Sequence, residues 1–169
     1  MKFKINYKKI VLAIISIIIL VTLDQISKVF AVQLLKDKED IILINNVLQF
    51  HYLENTGAAF SLLTGAQVFF KIITPLLVVV LVFFLVKYSD SRKELPFFIL
   101  DILLISGAIG NYLDRLHNGY VVDFIYFSLI NFPVFNVADI YVTVSVFLFA
   151  VVVLFFYKDD TDKSIISAE

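Results

Sequence analysis

Among the ionisable residues that stand inside or near the ends of long apolar runs are Asp24, Lys28, Asp114, Arg115, Asp123 and Asp139. A charge near the centre of a bilayer costs at least about 2.5–3.5 kcal/mol, so each needs a structural or functional reason. Around them, amides and carboxylates repeatedly neighbour small residues: Asn-Thr-Gly-Ala-Ala-Phe at 55–60, Gly-Ala-Ile-Gly-Asn at 107–111, Val-Val-Asp-Phe at 121–124 and Phe-Asn-Val-Ala-Asp at 135–139. Small residues let helix backbones approach closely, and packing alone would also account for Gly107 and Gly110. The amides of Asn55, Asn111 and Asn136 offer a peptide backbone both donors and an acceptor.

Missing parts exclude most catalytic chemistry. The chain has no Cys, so disulfides, thiolate metal sites and a cysteine nucleophile are out. Its two histidines, His51 and His117, lack the companions of a metal site and read as surface or interface residues. HExxH, GxSxG, Walker A and GxGxxG are all absent. Ser27 and Lys28 are adjacent on a predicted helix and do not face each other, which removes a Ser-Lys dyad. Paired carboxylates remain. Two aspartates within hydrogen-bonding reach share one proton, so one can take a proton from water while the other protonates a scissile carbonyl. The D-[ST]-G motif of soluble aspartic proteases and the G-x-G-D motif of presenilin-like enzymes do not occur.

Positioning such groups falls to membrane helices. Of the 169 residues, 60% are hydrophobic and 17% charged, with a mean hydropathy of +0.93. Soluble domains run near 45–50% apolar and 25% charged, so a multi-span membrane protein is expected. The net charge of -1 argues against nucleic acid as a partner. Crossing a hydrocarbon core takes about 20 apolar residues. Runs at about 10–31, 66–88, 95–113 and 139–157 meet that need within one domain, 1–169, leaving outer segments at 32–65 and 114–138. No A-x-A-like cleavage site follows the first run, so it reads as a retained helix. Lys2, Lys4, Lys8, Lys9, Lys87, Arg92, Lys93, Lys158 and Lys163 fall on one side, against Lys36, Lys38 and Arg115 on the other. The basic side stays in the cytoplasm, which places both termini there.

At 1.5 Å per residue, Asp24 and Lys28 lie roughly 21 and 27 Å along the first helix, and Asp114 and Arg115 roughly 28–30 Å along the third. Asp139 opens the fourth helix and Asp123 lies in the segment before it, so the polar groups converge on the outer boundary. Taken singly, each is explained by the polarity of helix ends, and Asp139 suits a helix N-terminus. Asp24 and Lys28 form an i,i+4 pair that balances itself. The IILINNVLQFHYLEN stretch, with its Asn45-Asn46 turn signal, predicts a small β element in 32–65. Asn118-Gly119 is a hairpin-type turn signal, after which VVDFIYF and FPVFN fold back toward the membrane. Lys71 is expected to snorkel, Pro75 to bend the second span, and Asp101 has no evident partner.

These motifs, in this order, resemble the bacterial lipoprotein signal peptidases (signal peptidase II, prolipoprotein signal peptidase), four-helix membrane aspartic peptidases. Asp24-Gln25-Ile26-Ser27-Lys28 is similar to the family's first box and Asn55 to Phe60 to its second. Gly107 to Asn111 with Asp114-Arg115 matches the third, Val121 to Phe124 the fourth, and Phe135 to Asp139 the fifth. The resemblance implies an all-α membrane fold with four transmembrane helices, a small extracytoplasmic β element and a lid-like outer loop within 107–138. It implies Asp123 and Asp139 as the catalytic pair. Asn55, Gly57, Asn111, Arg115 and Asn136 would hold the substrate backbone, and Asp24, Lys28, Asp114, Gly107, Gly110 and Ala138 would support the site. The implied substrates are diacylglyceryl-modified prolipoproteins cut just before the lipidated Cys, by a monomer among membrane lipids in the bacterial cytoplasmic membrane, with its active site near the outer leaflet. No metal or organic cofactor is implied. Two other readings stand beside it. A small ion or proton transporter subunit would use intramembrane carboxylates but should carry polar groups across the whole bilayer, and a noncatalytic scaffold would tolerate Asn at positions 123 and 139.

Overall fold

In the computed structural model, residues 4–57 and 66–156 are described. The chain runs α1 (Tyr7–Leu35), β1 (Ile41–Ile44), β2 (Leu48–Asn55), α2 (Gln67–Tyr88), α3 (Leu95–His117), β3 (Val121–Tyr126), a 3-10 turn (Ser128–Ile130) and α4 (Val137–Phe156). All four α-helices are long and apolar enough to cross a membrane. Residues Ala58, Ala59 and Phe60 of the second motif, Lys2, and position 157 with Lys158 and Lys163 lie outside the described residues.

Helix limits follow local chemistry. The Asn6 side chain accepts from the Lys9 N–H at 3.2 Å and starts α1, which at 29 residues extends about 44 Å, beyond the predicted 10–31. Pro96 stands in the first turn of α3, where its missing N–H has no helical partner to lose. That helix runs on past the predicted limit of 113 to His117, so Asp114 and Arg115 lie in its last turns, where a cation suits the helix dipole. Asn118-Gly119, predicted as a hairpin turn, ends α3 instead. The Asn118 N–H donates to Asp114 O at 2.8 Å and Gly119 takes φ +80°, a left-handed conformation that breaks the helix and turns the chain into β3.

Helix α3 is the centre of the bundle, packed against α1, α2 and α4. It buries Phe98, Leu100, Ile102 and Ile105, whereas α2 buries only Leu85 among its described side chains. The broad apolar faces that α1, α2 and α4 leave exposed suit hydrocarbon as solvent. Close approach depends on two glycines. A Cβ on Gly107 would sit 2.6 Å from Ala138 O, and one on Gly110 would sit 2.5 Å from Asp24 Oδ2.

The two segments predicted as outer join in one antiparallel sheet among the described residues, in the order β1-β2-β3. Leu53 pairs with Asp123 and Asn55 with Val121. Val122 and Phe124 pack on Ala31 and Leu35 at the end of α1, so strand alternation turns Val121 and Asp123 to the opposite face. Within the 107–138 region expected to supply a lid-like segment, 107–117 belongs to α3 and 121–126 to β3. What is left, 127–136, is tied back by Phe135 bridging Ile125 and by Tyr126 Oη donating to Asn131 Oδ1 at 2.6 Å.

Candidate active site

Asp123 arrives on β3 and Asp139 on the first turn of α4. Asn136 and Asp139 cap that turn reciprocally: Asn136 Oδ1 accepts from the Asp139 N–H at 3.0 Å, and Asp139 Oδ2 accepts from the Asn136 N–H at 3.2 Å. This is a capping box built from Asn and Asp. It fixes the Asp139 side chain by the same bonds that start the helix.

Every oxygen of the two carboxylates receives an N–H. Asp123 Oδ2 accepts from Asn55 Nδ2 at 2.8 Å and Asp123 Oδ1 from Asn136 Nδ2 at 2.6 Å. Asp139 Oδ1 accepts from Asn111 Nδ2 at 2.8 Å, and its Oδ2 takes the capping N–H. Asn136, fully buried, thus touches both aspartates. Its Nδ2 also donates to Asn111 Oδ1 at 3.1 Å, while Asn55 Oδ1 accepts from the Gly57 N–H at 2.9 Å. The three asparagines expected to hold substrate therefore hold the aspartates here. Burial, then the nearby Asp139 carboxylate, pushes Asp123 up to about 7, against the hydrogen bonds from Asn55 and Asn136 and the Lys28 charge.

Beneath this pair lies a second acidic layer. Lys28 Nζ sits 2.9 Å from Asp24 Oδ2, 3.1 Å from Asp114 Oδ2 and 3.0 Å from Asn111 Oδ1. Gln25 Nε2 bridges the same two aspartates at 3.1 Å each and reaches Gly110 O at 3.2 Å. The remaining acceptors take backbone N–H groups: Ala138 N to Asp24 Oδ1 at 2.9 Å and Val122 N to Asp114 Oδ2 at 3.0 Å. Each lower aspartate thus grips the residue immediately before an upper one. A buried ionic network is tolerable only when so fully hydrogen-bonded. Gln25 carried no role in the sequence reading, and nothing but its place one residue after Asp24 marked it.

Arg115 closes one side. Its Nη2 donates to Gly57 O at 2.9 Å and Nη1 to Asn111 O at 3.3 Å, and the guanidinium lies 4.7 Å from the centre of the Phe70 ring. Its buried Nε has no hydrogen-bond partner among the described residues. The aspartates, Asn55, Asn111 and Arg115 line one cavity of about 1110 Å³. One arm follows Ile140, Thr143 and Val144 along α4, and the other follows the sheet past Leu53 to His51, Gln49 and Asp40. His51, read from sequence as a surface or interface residue, lines this second arm. The period-2 series Gln49, His51, Leu53, Asn55 on one strand face was the signal that could have found it. Elsewhere, Asp101 is buried with an unpartnered Oδ2, His117 Nδ1 lies 2.8 Å from Leu113 O, and Lys71 is half-buried on α2. Among the described residues, no three His, Asp or Glu side chains gather as a metal site.

Comparison with known proteins places this geometry. Residues 16–155 match the family model described as Signal peptidase (SPase) II. A lipoprotein signal peptidase of Clostridioides difficile is 44% identical over 146 residues, covering 86% of this chain and 96% of that protein. One from Streptococcus agalactiae serotype Ia is 40% identical over 139 residues, covering 82% and 88%. A bacterial membrane enzyme solved by the in meso method superposes with a TM-score of 0.79 at 32% identity, covering 96% of both chains. With four apolar helices and these relatives, the chain is a multi-pass protein of the bacterial cell membrane. It belongs to the signal peptidase II family, peptidases of the aspartic type.

Proposed function

We propose that this chain cleaves diacylglyceryl-modified prolipoproteins just before the lipidated Cys, with Asp123 and Asp139 as the catalytic pair. The observation that carries the reading is two aspartates at one cavity, every oxygen oriented by an N–H and neither touched by a cation among the described ion pairs. Two carboxylates so close share a proton. The ionised member takes a proton from water as the water oxygen bonds to the scissile carbonyl carbon, and the protonated member gives its proton to the carbonyl oxygen. Collapse of that intermediate breaks the C–N bond. The proton acquired from water passes to the leaving amine of the Cys, and the diol oxygen returns its own to the other carboxylate.

Arg115 supplies a fixed cation beside the scissile region. Gly57, Asn55 and Asn111 hold the substrate backbone with the hydrogen-bonding capacity the aspartates leave them, while Asn136, buried with both Nδ2 hydrogens spent, acts on it only through the aspartates it orients. Asp24, Lys28 and Asp114 position β3 and α4, while Gly107, Gly110 and Ala138 let α3, α4 and α1 meet closely enough to bring the groups together. The termini face the cytoplasm and the pair lies near the outer leaflet. There the α4 arm, with Ile140 and Val144 exposed to lipid, admits the signal peptide and its acyl chains. The 127–136 segment closes over them. Both aspartates come from one chain, so a monomer suffices.

A transport path would need polar groups along the bundle. The two fully buried serines at mid-span, Ser106 and Ser145, spend their hydroxyls on carbonyls of their own helices. The test is cleavage of a diacylglyceryl-Cys prolipoprotein by purified protein in lipid, with Asp123→Asn and Asp139→Asn beside it and thermal unfolding of all three. Cleavage before the Cys by the native chain alone is the expected result. Normal cleavage by either folded variant overturns the dyad.

A further inference from the structure

We propose that the sheet-side arm of the cavity is a subsite for the mature lipoprotein segment, binding the extended chain four to six residues beyond the cleaved bond and favouring a basic side chain there. The inference rests on the peptidase reading above.

The cavity is lined on two different elements beyond the dyad, helix α4 and strand β2. The α4 arm descends along a helix that crosses the membrane, with an apolar wall of Ile140 and Val144. The other arm runs along the odd-numbered face of β2. Gln49, His51, Leu53 and Asn55 all line it, while Phe50 and Tyr52 on the even face pack toward α1. Asn55 is bonded to Asp123, so position along the strand measures distance from the reacting bond. The register shift between Phe50 and Leu53 sets the stretch of β2 from Asn55 back to Gln49 against only Val121 to Tyr126 of β3, so at 3.2–3.4 Å per strand residue Gln49 lies about 17 Å from Asn55, with His51 between them. An extended substrate advances about 3.3–3.6 Å per residue, which brings its fourth and fifth residues past the bond opposite these side chains and its sixth to the rim beyond them. The signal peptide's apolar helix belongs in the membrane-facing arm. The mature chain, bound for water, is left with the sheet.

The chemistry of the arm changes along its length to match. Next to the dyad it presents Leu53, and at its far end it presents acceptors. Asp40 takes hydrogen bonds from Gln49 Nε2 at 2.7 Å and from His51 Nδ1 at 2.8 Å, which holds its carboxylate at the rim. Tyr126, beside Gln49 on the neighbouring strand, donates to Asn131 at 2.6 Å and so brings the 127–136 segment to this end of the cavity. No Lys or Arg lines this end of the cavity among the described residues, so Asp40 is its fixed charge and the complementary side chain is a cation. Because Asn131 belongs to the 127–136 segment, the subsite also joins the sheet to that segment.

The experiment uses the full chain in lipid and three diacylglyceryl-Cys prolipoprotein peptides. One ends two residues after the Cys, and two run eight residues past it with Lys or Glu at the sixth. On the native protein, KM for the long Lys peptide should be about fivefold lower than for the short one, with Glu giving little gain. The ratio of long to short KM is internal to each variant, so a general loss of fold or of the dyad affects both peptides alike. Asp40→Asn should remove the Lys-over-Glu preference, and His51→Ala with Gln49→Ala should bring the length ratio close to one. Equal KM for all three peptides on the native protein, or a ratio that survives in both variants, overturns the subsite and leaves the peptidase reading intact. Failure of the native protein to cut any peptide overturns the peptidase reading and the subsite with it.

Discussion

Two pairs of aspartates lie one above the other in this molecule, and the same residue type does opposite work in each. Asp24 and Asp114, 0% and 4% exposed, close on Lys28 and Gln25 and spend their remaining acceptors on the backbone N–H groups of Ala138 and Val122. Asp123 and Asp139 receive only neutral donors, from three asparagines and one capping N–H, and face the cavity. A cation held at about 3 Å pins a carboxylate in place. Neutral amides orient a carboxylate without pairing it to a charge. On the proposed reading, the difference in reactivity follows from the partners, since burial alone does not separate Asp123, 1% exposed, from Asp24 and Asp114.

The largest effect should come from neutralising the upper pair. Asp123→Asn and Asp139→Asn should each lower kcat by about 10³-fold or more, with a modest fall in melting temperature, because Asn keeps the volume and one accepted N–H while its NH2 meets the other donor. The lower pair should answer in the other quantity. Asp114→Ala leaves the Val122 N–H without its acceptor and Lys28 short of one counter-charge, and losing one partner of a buried ionic group costs about 3–5 kcal/mol. Thermal unfolding in lipid or detergent would register it. A variant that melts normally but is inactive would erase the distinction between the layers.

Stability against pH sharpens the same contrast. Asp123 titrates at about 7 in the folded protein, against 3.8 for an unperturbed carboxyl. A carboxyl whose folded value is raised binds its proton more tightly in the folded state. Its contribution is therefore complete below the unfolded value and lost as pH climbs toward about 7. Native protein should lose stability between about pH 4 and 7, and Asp123→Asn should lack that share of the loss. Unfolding midpoints across that range, native against variant, would check it.

How much of this was legible in the sequence depended on the range of the contacts involved. Four spans could be read because an apolar run of about 20 residues has few other fates, and β1 and β2 because the Asn45-Asn46 turn joins neighbours. The pairing of β3 with β2 links Asp123 to Leu53, seventy positions away, and no local pattern encodes such a partner. Asn118-Gly119 carries the same turn signal whether a strand or a helix precedes it, so its role depended on how far α3 runs. The motifs brought these residues into view, but only the folded chain sets the amide of Asn136 between two carboxylates and puts His51 on the cavity wall. Gln25, with no chemistry of its own to flag it, becomes visible only through what it touches.

The finest distinction concerns what one neutral donor contributes to the upper pair. Asn55 Nδ2 meets Asp123 Oδ2 at 2.8 Å, and this hydrogen bond favours the ionised form. Asn55→Ala removes it and leaves Asn136 as the remaining side-chain donor to Asp123. Losing a donor to a carboxylate raises its pKa, so the acid limb of the pH–rate profile should move upward. The shift should be about one unit or less, since one neutral hydrogen bond contributes about 0.5–1.5 kcal/mol and a pKa unit corresponds to about 1.4 kcal/mol. Stability should fall by a similar small amount, because the Gly57 N–H also loses its acceptor. A limb that stays in place while kcat falls would mean that Asn55 acts on the substrate rather than on Asp123, and the amides would then belong to the binding surface more than to the dyad.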